Sequence, residues 1–296
     1  MKTVLDIGVL LVTLLLMVTV GMELEGGDFR EVARRKAALF GALLLPAILL
    51  PLLAFALARV LALPAHVRAG LLLLAACPVG DIANFYTLLG RGNLALSVSV
   101  NTLSCLLSVA TMALAFTLYD RLLGQHFSFA LPTPALVLRL TVMVALPVLA
   151  GMAVRRWKKA WAVDHGRRLR QLCVAGIAFL AIYVLLNRWA QVVTDWRQTA
   201  LASLAFMVAA LAIGLILARL LRLSASDSVT VGIVFAVRNV ALALAIALTI
   251  LNRIEFAEVA VVYFITEVPL LLGVSGAYRR WWSSARPLPE SAGART

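Results

Sequence analysis

A polar interruption within a long apolar segment is the first place in this sequence where side chains could do chemistry. It reads Ala76-Cys-Pro-Val-Gly-Asp-Ile-Ala-Asn84. Pro78 cannot donate a backbone hydrogen bond and Gly80 permits unusual dihedral angles, so we expect a helix to break here. The break would place the polar side chains of Asp81 and Asn84 at bilayer depth.

A second interruption lies late in the chain, at Phe235-Ala-Val-Arg-Asn-Val240, where Arg238 and Asn239 divide another apolar run. Irregular backbone at bilayer depth is tolerated only where protein or a water-filled cavity covers it. Two discontinuous helices with polar residues at their breaks are typical of the central site of a secondary transporter. A further acid, Glu267, precedes Pro269 in the last apolar run.

The composition is that of a polytopic helical membrane protein. Of 296 residues, 63% are hydrophobic and 14% are charged, whereas soluble domains average about 25% charged residues. The net charge of +13 comes from basic residues in connecting segments, as the positive-inside rule describes, so we predict a lipid bilayer and no nucleic acid as partner. Cys77, Cys105 and Cys173 lack metal or disulfide spacing, and all three histidines lie in connections. Neither a metal site nor an enzyme is therefore expected.

The elements that must position the polar residues are nine predicted transmembrane helices, counting each long apolar run as one crossing. They cover residues 5–22, 37–61, 65–89, 94–119, 134–154, 172–189, 199–220, 227–251 and 257–278. The third and the eighth are the broken ones. Because they are five apart in order, they run antiparallel, as in an inverted five-helix repeat that lacks its first helix. We expect one transmembrane unit over residues 1–285 and a cytoplasmic tail over residues 286–296.

The connecting segments predict orientation. Lys and Arg are concentrated in the connections after the odd-numbered helices, which places the N-terminus outside and the C-terminus in the cytoplasm of a plasma (inner) membrane. Residues 155–170 form the most basic connection, and residues 23–36 are predicted as a short interfacial helix. A signal peptide is the alternative for the first helix, but the apolar run is long and no cleavage pattern follows it.

Several motifs resemble the bile acid:sodium symporter family. They are Gly21-Met-Glu-Leu with Asp28-Phe29, Leu63-Pro64-Ala65, Ala76-Cys77-Pro78-x-Gly80-x-x-x-Asn84-x-x-Thr87, Arg91-Gly-Asn-Leu-Ala-Leu-Ser97 and Arg238-Asn239-Val-Ala-Leu-Ala. The resemblance covers the nine predicted helices in order. It implies a panel domain made of residues 5–22, 134–154 and 172–189, and a core domain made of the other six helices, in which the two broken helices cross.

The resemblance also implies two sodium sites near the crossing, and this chain departs from both. The positions of the first site read Ala83, Asn84, Ser97, Asn101 and Val234, and those of the second read Pro46, Val234 and Arg238. A glutamate shared by the two sites is a valine here, and a glutamine is an arginine. Hard cations need oxygen ligands and carboxylate charge. Sodium coupling is therefore expected to be weak or absent, and no cofactor is expected.

Each charged residue at the breaks has more than one interpretation. An arginine at mid-bilayer is costly, so Arg238 either stands where the family binds sodium or forms an ion pair with Asp81 or Glu267. Asp81 could instead cap the second half of its broken helix. Either acid could carry a proton, because two acids would share one base.

The neutral polar residues have two interpretations as well. Asn84 and Asn239 occupy matching positions in the two breaks, where their amides could bind substrate or stabilise unwound backbone. Ser97 and Asn101 share one helix face, and small polar residues on such a face also serve close helix packing. The predicted substrate-binding set is Asp81, Asn84, Asn239 and Glu267.

The expected function is secondary transport of a small amphipathic organic acid by alternating access. Half-helix N-termini favour a carboxylate or sulfonate, although Asp81 weakens the case for an anion. Proton-coupled or facilitative transport of another solute is the nearest alternative. A non-transporting membrane receptor on the same fold is the second alternative. Substrate identity and oligomeric state, monomer or otherwise, stay open.

Overall fold

The computed structural model describes residues 2–23, 36–123, 138 and 141–285. Apart from turns and one isolated antiparallel bridge, these residues are helical, which confirms the predicted all-α class. In chain order the helices are α1 (Lys2–Glu23), α2 (Lys36–Val60), α3 (Ala65–Ala76), α4 (Ile82–Leu89), α5 (Leu94–Leu123), α6 (Leu146–Trp157), α7 (Lys159–Leu220), α8 (Ala225–Ala236), α9 (Val240–Ala245) and α10 (Ile254–Ala285). One π-helical turn, Thr141–Ala145, precedes α6, and another, Ile246–Ile250, follows α9. The predicted tail and nearly all of the predicted interfacial helix lie outside the described residues.

Both predicted breaks are confirmed. The third predicted helix is divided into α3 and α4 by residues 77–81, and the eighth into α8 and α9 by residues 237–239. Pro46 and Pro51 lie within α2 without ending it.

The prediction of a connection over residues 155–170 was wrong. Residues 155–157 end α6, residues 159–170 begin α7, and residues 190–198, also predicted as a connection, are helical. Lys, Arg, Ala and Leu are good helix formers, so a basic composition does not prevent a helix. The backbone leaves helical geometry within α7 at Arg188, with φ −125° and ψ 20°.

Four helical stretches of the described residues are long and apolar enough to cross a membrane. They are Ala37–Val60, Leu94–Tyr119, Arg168–Leu220 and Ile254–Arg280. The third has 53 residues and would be about 80 Å long as one straight helix, far beyond the roughly 30 Å hydrocarbon core. The kink at Arg188 divides it into two arms. The count of nine crossings stays a prediction.

The broken helices lie at the centre of the packing. In α3 the side chains from Val67 to Ala76 are nearly all buried, and the chain is buried without interruption from residue 229 to residue 248. α1 packs on α6 and on α7, while α8 and α10 also pack on α7. A run of buried apolar residues on every side of a helix is expected where protein, rather than lipid, surrounds it.

The turn before α5 ties the two broken helices together through Asn93. Its side-chain amide donates to the carboxylate of Asp227 at 2.8 Å, and its backbone N–H donates to the hydroxyl of Thr230 at 2.8 Å. Its side-chain oxygen accepts from the backbone N–H of Leu96 at 3.1 Å. One side chain therefore serves the first turn of α5 and contacts the first turn of α8.

We expect Asn93→Ala to lower the free energy of unfolding by about 2.5–4 kcal/mol. The substitution removes a helix cap, typically worth about 1 kcal/mol, and a hydrogen bond to a charged group, worth about 1.5–3 kcal/mol. Denaturant unfolding of the detergent-solubilised protein measures the change. Asn187→Ala is the matched control, because the side chain of Asn187 is exposed and, among the described residues, its amide donates to the carbonyl of Tyr183 in the same helix. Equal stability of the two variants would contradict the assigned role.

Candidate functional site at the helix crossing

The two broken helices cross backbone to backbone. Cys77 and Val237 both adopt extended geometry, with ψ of 152° and 120°. The N–H of Asn239 donates to the carbonyl of Pro78 at 2.9 Å, and Val79 pairs with Arg238 as an isolated antiparallel bridge. Each break therefore satisfies part of the unpaired backbone of the other, as membrane depth requires.

A steric constraint at this crossing explains why residue 80 is a glycine. A Cβ atom at this position would lie 2.6 Å from the carbonyl oxygen of Arg238 and 3.3 Å from a methyl carbon of Val237. The backbone segments of the two breaks approach each other too closely for any side chain at this position.

Arg238 joins the ends of the two first half-helices. Its guanidinium donates to the carbonyl of Cys77 at 3.4 Å and to the carbonyl of Val234, and the residue is 4% exposed. α3 and α8 end at these positions, so their unpaired carbonyls and negative dipole ends converge on one cation. In transporters with broken helices, such carbonyls are the groups that coordinate sodium.

The guanidinium makes no direct ion pair with either predicted acid. Within the described part of the chain, no carboxylate oxygen lies within 4.0 Å of it. Glu267 interacts with it electrostatically at longer range. The carboxylate of Asp81 instead accepts a hydrogen bond from the side-chain amide of Asn101 at 2.6 Å.

The interpretation of Asp81 as a helix cap was wrong. Its side chain makes no capping hydrogen bond to the start of α4. The reason is backbone geometry: with φ −59° and ψ −30°, Asp81 is already helical, whereas a capping side chain needs an extended backbone to reach the next N–H groups. Asp81 is half-buried and faces α5.

The two asparagines lie in different environments. Asn84 accepts a hydrogen bond from the hydroxyl of Ser97 at 2.7 Å, and that hydroxyl accepts one from Thr87 at 3.3 Å. Asn239 caps α9, because its side-chain oxygen accepts from the N–H of Leu242 at 2.9 Å. Both side-chain NH₂ groups are buried without a partner among the described residues. Each asparagine therefore stabilises local structure and keeps two donors free.

Residues 10–196 match the sodium bile acid symporter family. This chain belongs to that family. The "Probable sodium/metabolite cotransporter BASS1, chloroplastic" of Arabidopsis thaliana is 28% identical over 231 residues, which are 78% of this chain and 56% of that protein. The "Uncharacterized sodium-dependent transporter YocS" of Bacillus subtilis (strain 168) is 29% identical over 58% of this chain and 52% of its own length. The human "P3 protein" is 25% identical over 76% of this chain and 46% of its own length.

This member of the sodium bile acid symporter family thus spans about half the length of the curated relatives it matches. The family and the relatives named as cotransporters are transporters rather than enzymes. The family membership predicted from the sequence motifs is confirmed.

The residues that the family resemblance assigns to a second sodium site do not fit a sodium ion. Pro46 and Val234 offer no side-chain oxygen. The carbonyl of Val234 and that of Cys77 already accept from Arg238. The guanidinium of Arg238 therefore already contacts the backbone carbonyls that could otherwise coordinate a metal ion.

The first sodium-site position keeps part of its oxygen set. The hydroxyl of Ser97 donates a hydrogen bond to the side-chain oxygen of Asn84, and the side-chain amide of Asn101 donates one to the carboxylate of Asp81. Ala83, fully buried in α4, and Val234 have no side-chain oxygen to contribute. In this family member, two of the five equivalent positions are therefore apolar.

Three residues that the sequence did not single out also shape the site. Ser104 accepts from the N–H of Val79 at 3.1 Å and donates to the carbonyl of Asn101 at 2.7 Å, so α5 supports the first break. Its spacing from Ser97 and Asn101 along one helix face was a signal for this role. Tyr263 donates to the carbonyl of Ala236 at the end of α8. Tyr86 is buried, and Glu267 acts on it electrostatically.

A small cleft reaches the guanidinium of Arg238. Its volume is about 30 Å³, and Pro46 of α2, Ser104 of α5 and Pro78 are among the residues that line it. That volume holds about two water molecules. This cleft is therefore nearly closed in this conformation.

A second charged cluster connects α7 to the starts of α3 and α10. Arg188, at the kink, pairs with Glu258, and His66 lies 2.8 Å from Asp195. Glu258 also interacts electrostatically with the second pair. These contacts link α7 near its kink to the N-terminal parts of α3 and α10.

Proposed function

We propose that this protein is a secondary transporter that moves a small amphipathic organic acid across a plasma (inner) membrane, with little or no sodium coupling. The observation that carries this proposal is the position of Arg238. Its guanidinium bonds the carbonyls at the C-terminal ends of both first half-helices, where a coupling sodium ion would otherwise be coordinated.

The substrate class follows from the donors around the crossing. The NH₂ groups of Asn84 and Asn239 are buried and have no partner among the described residues, and no carboxylate of those residues contacts the guanidinium of Arg238. Hydrogen-bond donors and an uncompensated cation in a low dielectric favour an anionic oxygen group. Asp81 and Glu267 complete the proposed binding set and limit it to substrates with few negative charges.

The proposed movement is a rigid-body shift between two domains. The panel domain comprises α1, α6 and the first arm of α7, and the core domain contains the crossing. The packing of α1 on α6 and α7, and of α8 and α10 on α7, supports this division. Nine crossings, an inverted repeat, an external N-terminus and a cytoplasmic C-terminus belong to the same proposal.

We expect transport to persist when choline replaces sodium. A thermal-shift screen of organic carboxylates and sulfonates identifies a compound that stabilises the purified protein. Uptake of that radiolabelled compound into proteoliposomes is then measured in sodium chloride and in choline chloride. Initial rates within a factor of about two would agree with the proposal.

Two outcomes would contradict the proposal in different ways. Uptake that falls to the level of empty liposomes in choline and returns with sodium would show that the altered sodium positions still couple transport. A compound that stabilises the protein and is never taken up would identify a receptor rather than a transporter.

A further inference from the structure

Glu267 is a buried acid whose carboxyl group has no assigned structural partner. It is the middle residue of the apolar stretch Ile254–Arg280 in α10, and it is 0% exposed. Neither carboxyl oxygen has a hydrogen-bond partner within the described residues. An ionised carboxylate without donors is strongly unfavourable away from water. A structural acid at this depth would be expected to have donors around it.

The groups that face Glu267 do not neutralise it by contact. Tyr263 lies one turn earlier on the same face of α10, but its hydroxyl is committed to the carbonyl of Ala236. Glu267 acts electrostatically on Tyr86 of α4, whose hydroxyl is also buried without a partner among the described residues. Arg238 attracts it at longer range while its two terminal nitrogens bond carbonyls.

The other acid of the crossing is held elsewhere. Asp81 bonds Asn101 on α5 and is half-buried. It is not among the groups that act on Glu267. The two acids are therefore in different environments, and only Glu267 is enclosed without donors.

We propose that Glu267 is a proton-binding site, and that its proton is the coupling ion of this transporter. In the closed crossing the carboxyl group is protonated and neutral. It releases the proton when the cavity opens to water on one side. This inference rests on the proposed function for the use of the proton, whereas the presence of the proton depends on Glu267 alone.

Charge balance gives the coupling. With Glu267 ionised, Arg238 has a counter-charge nearby and has less attraction for a substrate anion. With Glu267 protonated, the guanidinium is uncompensated, and an organic anion between Asn84 and Asn239 would supply the missing negative charge. Proton and anion therefore strengthen each other's binding, and by linkage the effect is reciprocal.

A proton fits this position better than a sodium ion does. A proton needs one oxygen, whereas a hard metal ion needs several oxygen ligands around it. Of the two tyrosines on which Glu267 acts electrostatically, Tyr263 already uses its hydroxyl to bond the carbonyl of Ala236. Among the described residues, no group of three or more His, Cys, Asp or Glu side chains is placed to hold a metal ion.

The test follows the pH dependence of stability in the full-length protein, with and without Glu267→Gln. Glutamine resembles the neutral carboxyl group, so the two proteins should be equally stable near pH 5. A proton held only by the folded state destabilises that state as pH rises. The unfolding constant of the wild type should therefore increase relative to the variant by up to about tenfold per pH unit above about pH 5.

The matched control is Glu255→Gln, the same change on the same helix at a side chain that is 26% exposed and paired with Arg253. Its pH profile should follow the wild type. The measurements are made in potassium chloride and repeated in sodium chloride. Parallel profiles for wild type and Glu267→Gln would overturn the proposal. Stabilisation of the wild type alone by sodium would also overturn it, in favour of a metal ion.

A second measurement covers the case in which Glu267→Gln does not fold. Infrared spectra of the wild type at neutral pH should show the C=O absorption of a protonated carboxyl group. The band should persist in Asp81→Asn and disappear as pH is raised. Absence of the band in both proteins would overturn the proposal. Neither measurement involves transport, so the proposed function can fail in the uptake assay while the proton site is confirmed, and the reverse also holds.

Discussion

Replacing Arg238 with glutamine and Val234 with glutamate should make the stability of this protein depend on sodium. The glutamine removes the cation that bonds the carbonyls of Cys77 and Val234, and each orphaned buried acceptor costs about 1–3 kcal/mol. The glutamate restores the carboxylate that the family resemblance places at this position. In choline chloride the double variant should be less stable than the wild type by about 2–6 kcal/mol.

Sodium should recover part of that loss. An ion that binds only the folded state at a hundred times its dissociation constant adds about 2.7 kcal/mol of stability. Thermal unfolding in sodium chloride and in choline chloride measures the difference, and the wild type should show none. Arg253→Gln is the control, because Arg253 has a side chain that is 52% exposed. A folded double variant with the same melting temperature in both salts would show that Arg238 does not occupy a cation site.

The breaks could be predicted because their causes are local. Pro78 lacks an amide hydrogen, and Gly80 permits the backbone contact that the crossing needs. At the second break a charged and an amide side chain interrupt an apolar run. None of these properties depends on the rest of the fold.

The partners of Arg238 could not be predicted, because they are created by tertiary structure. The carbonyl of Cys77 is 161 residues away in the chain, and only the crossing brings it within reach. The sequence suggested acidic partners by charge alone. The structure uses backbone carbonyls instead, since the ends of two half-helices leave acceptors unpaired.

The boundaries of α7 were predicted wrongly, although the information needed to predict them is local. Basic residues between 155 and 170 were interpreted through membrane topology, which predicts their side of the membrane and not their secondary structure. Their intrinsic helix propensity is high. For Asp81, the interpretation as a cap assumed an extended backbone at this residue, whereas its φ and ψ angles are already helical.

Replacing Gly151 with valine should cost at least about 3 kcal/mol of stability. A Cβ atom at Gly151 would lie 2.0 Å from the carbonyl oxygen of Val18, and one at Gly21 would lie 2.0 Å from that of Val148. α1 and α6 therefore touch backbone to backbone at these two glycines. Backbone atoms cannot rotate away as side chains do, so the helices must separate, and overpacking of this kind reaches or exceeds the usual 1–3 kcal/mol.

Gly8→Ala provides the matched control on α1, because a Cβ atom there meets nothing within 4 Å. Alanine is the better helix former by about 1 kcal/mol, so this variant should be as stable as the wild type or more stable. Thermal unfolding measures both variants. Because the contact lies in the proposed panel domain, uptake should fall in Gly151→Val. The effect of Glu267→Gln on stability at high pH should be equally large in the Gly151→Val background and in the wild-type background. A Gly151→Val protein as stable as Gly8→Ala would show that the two helices do not pack at these glycines.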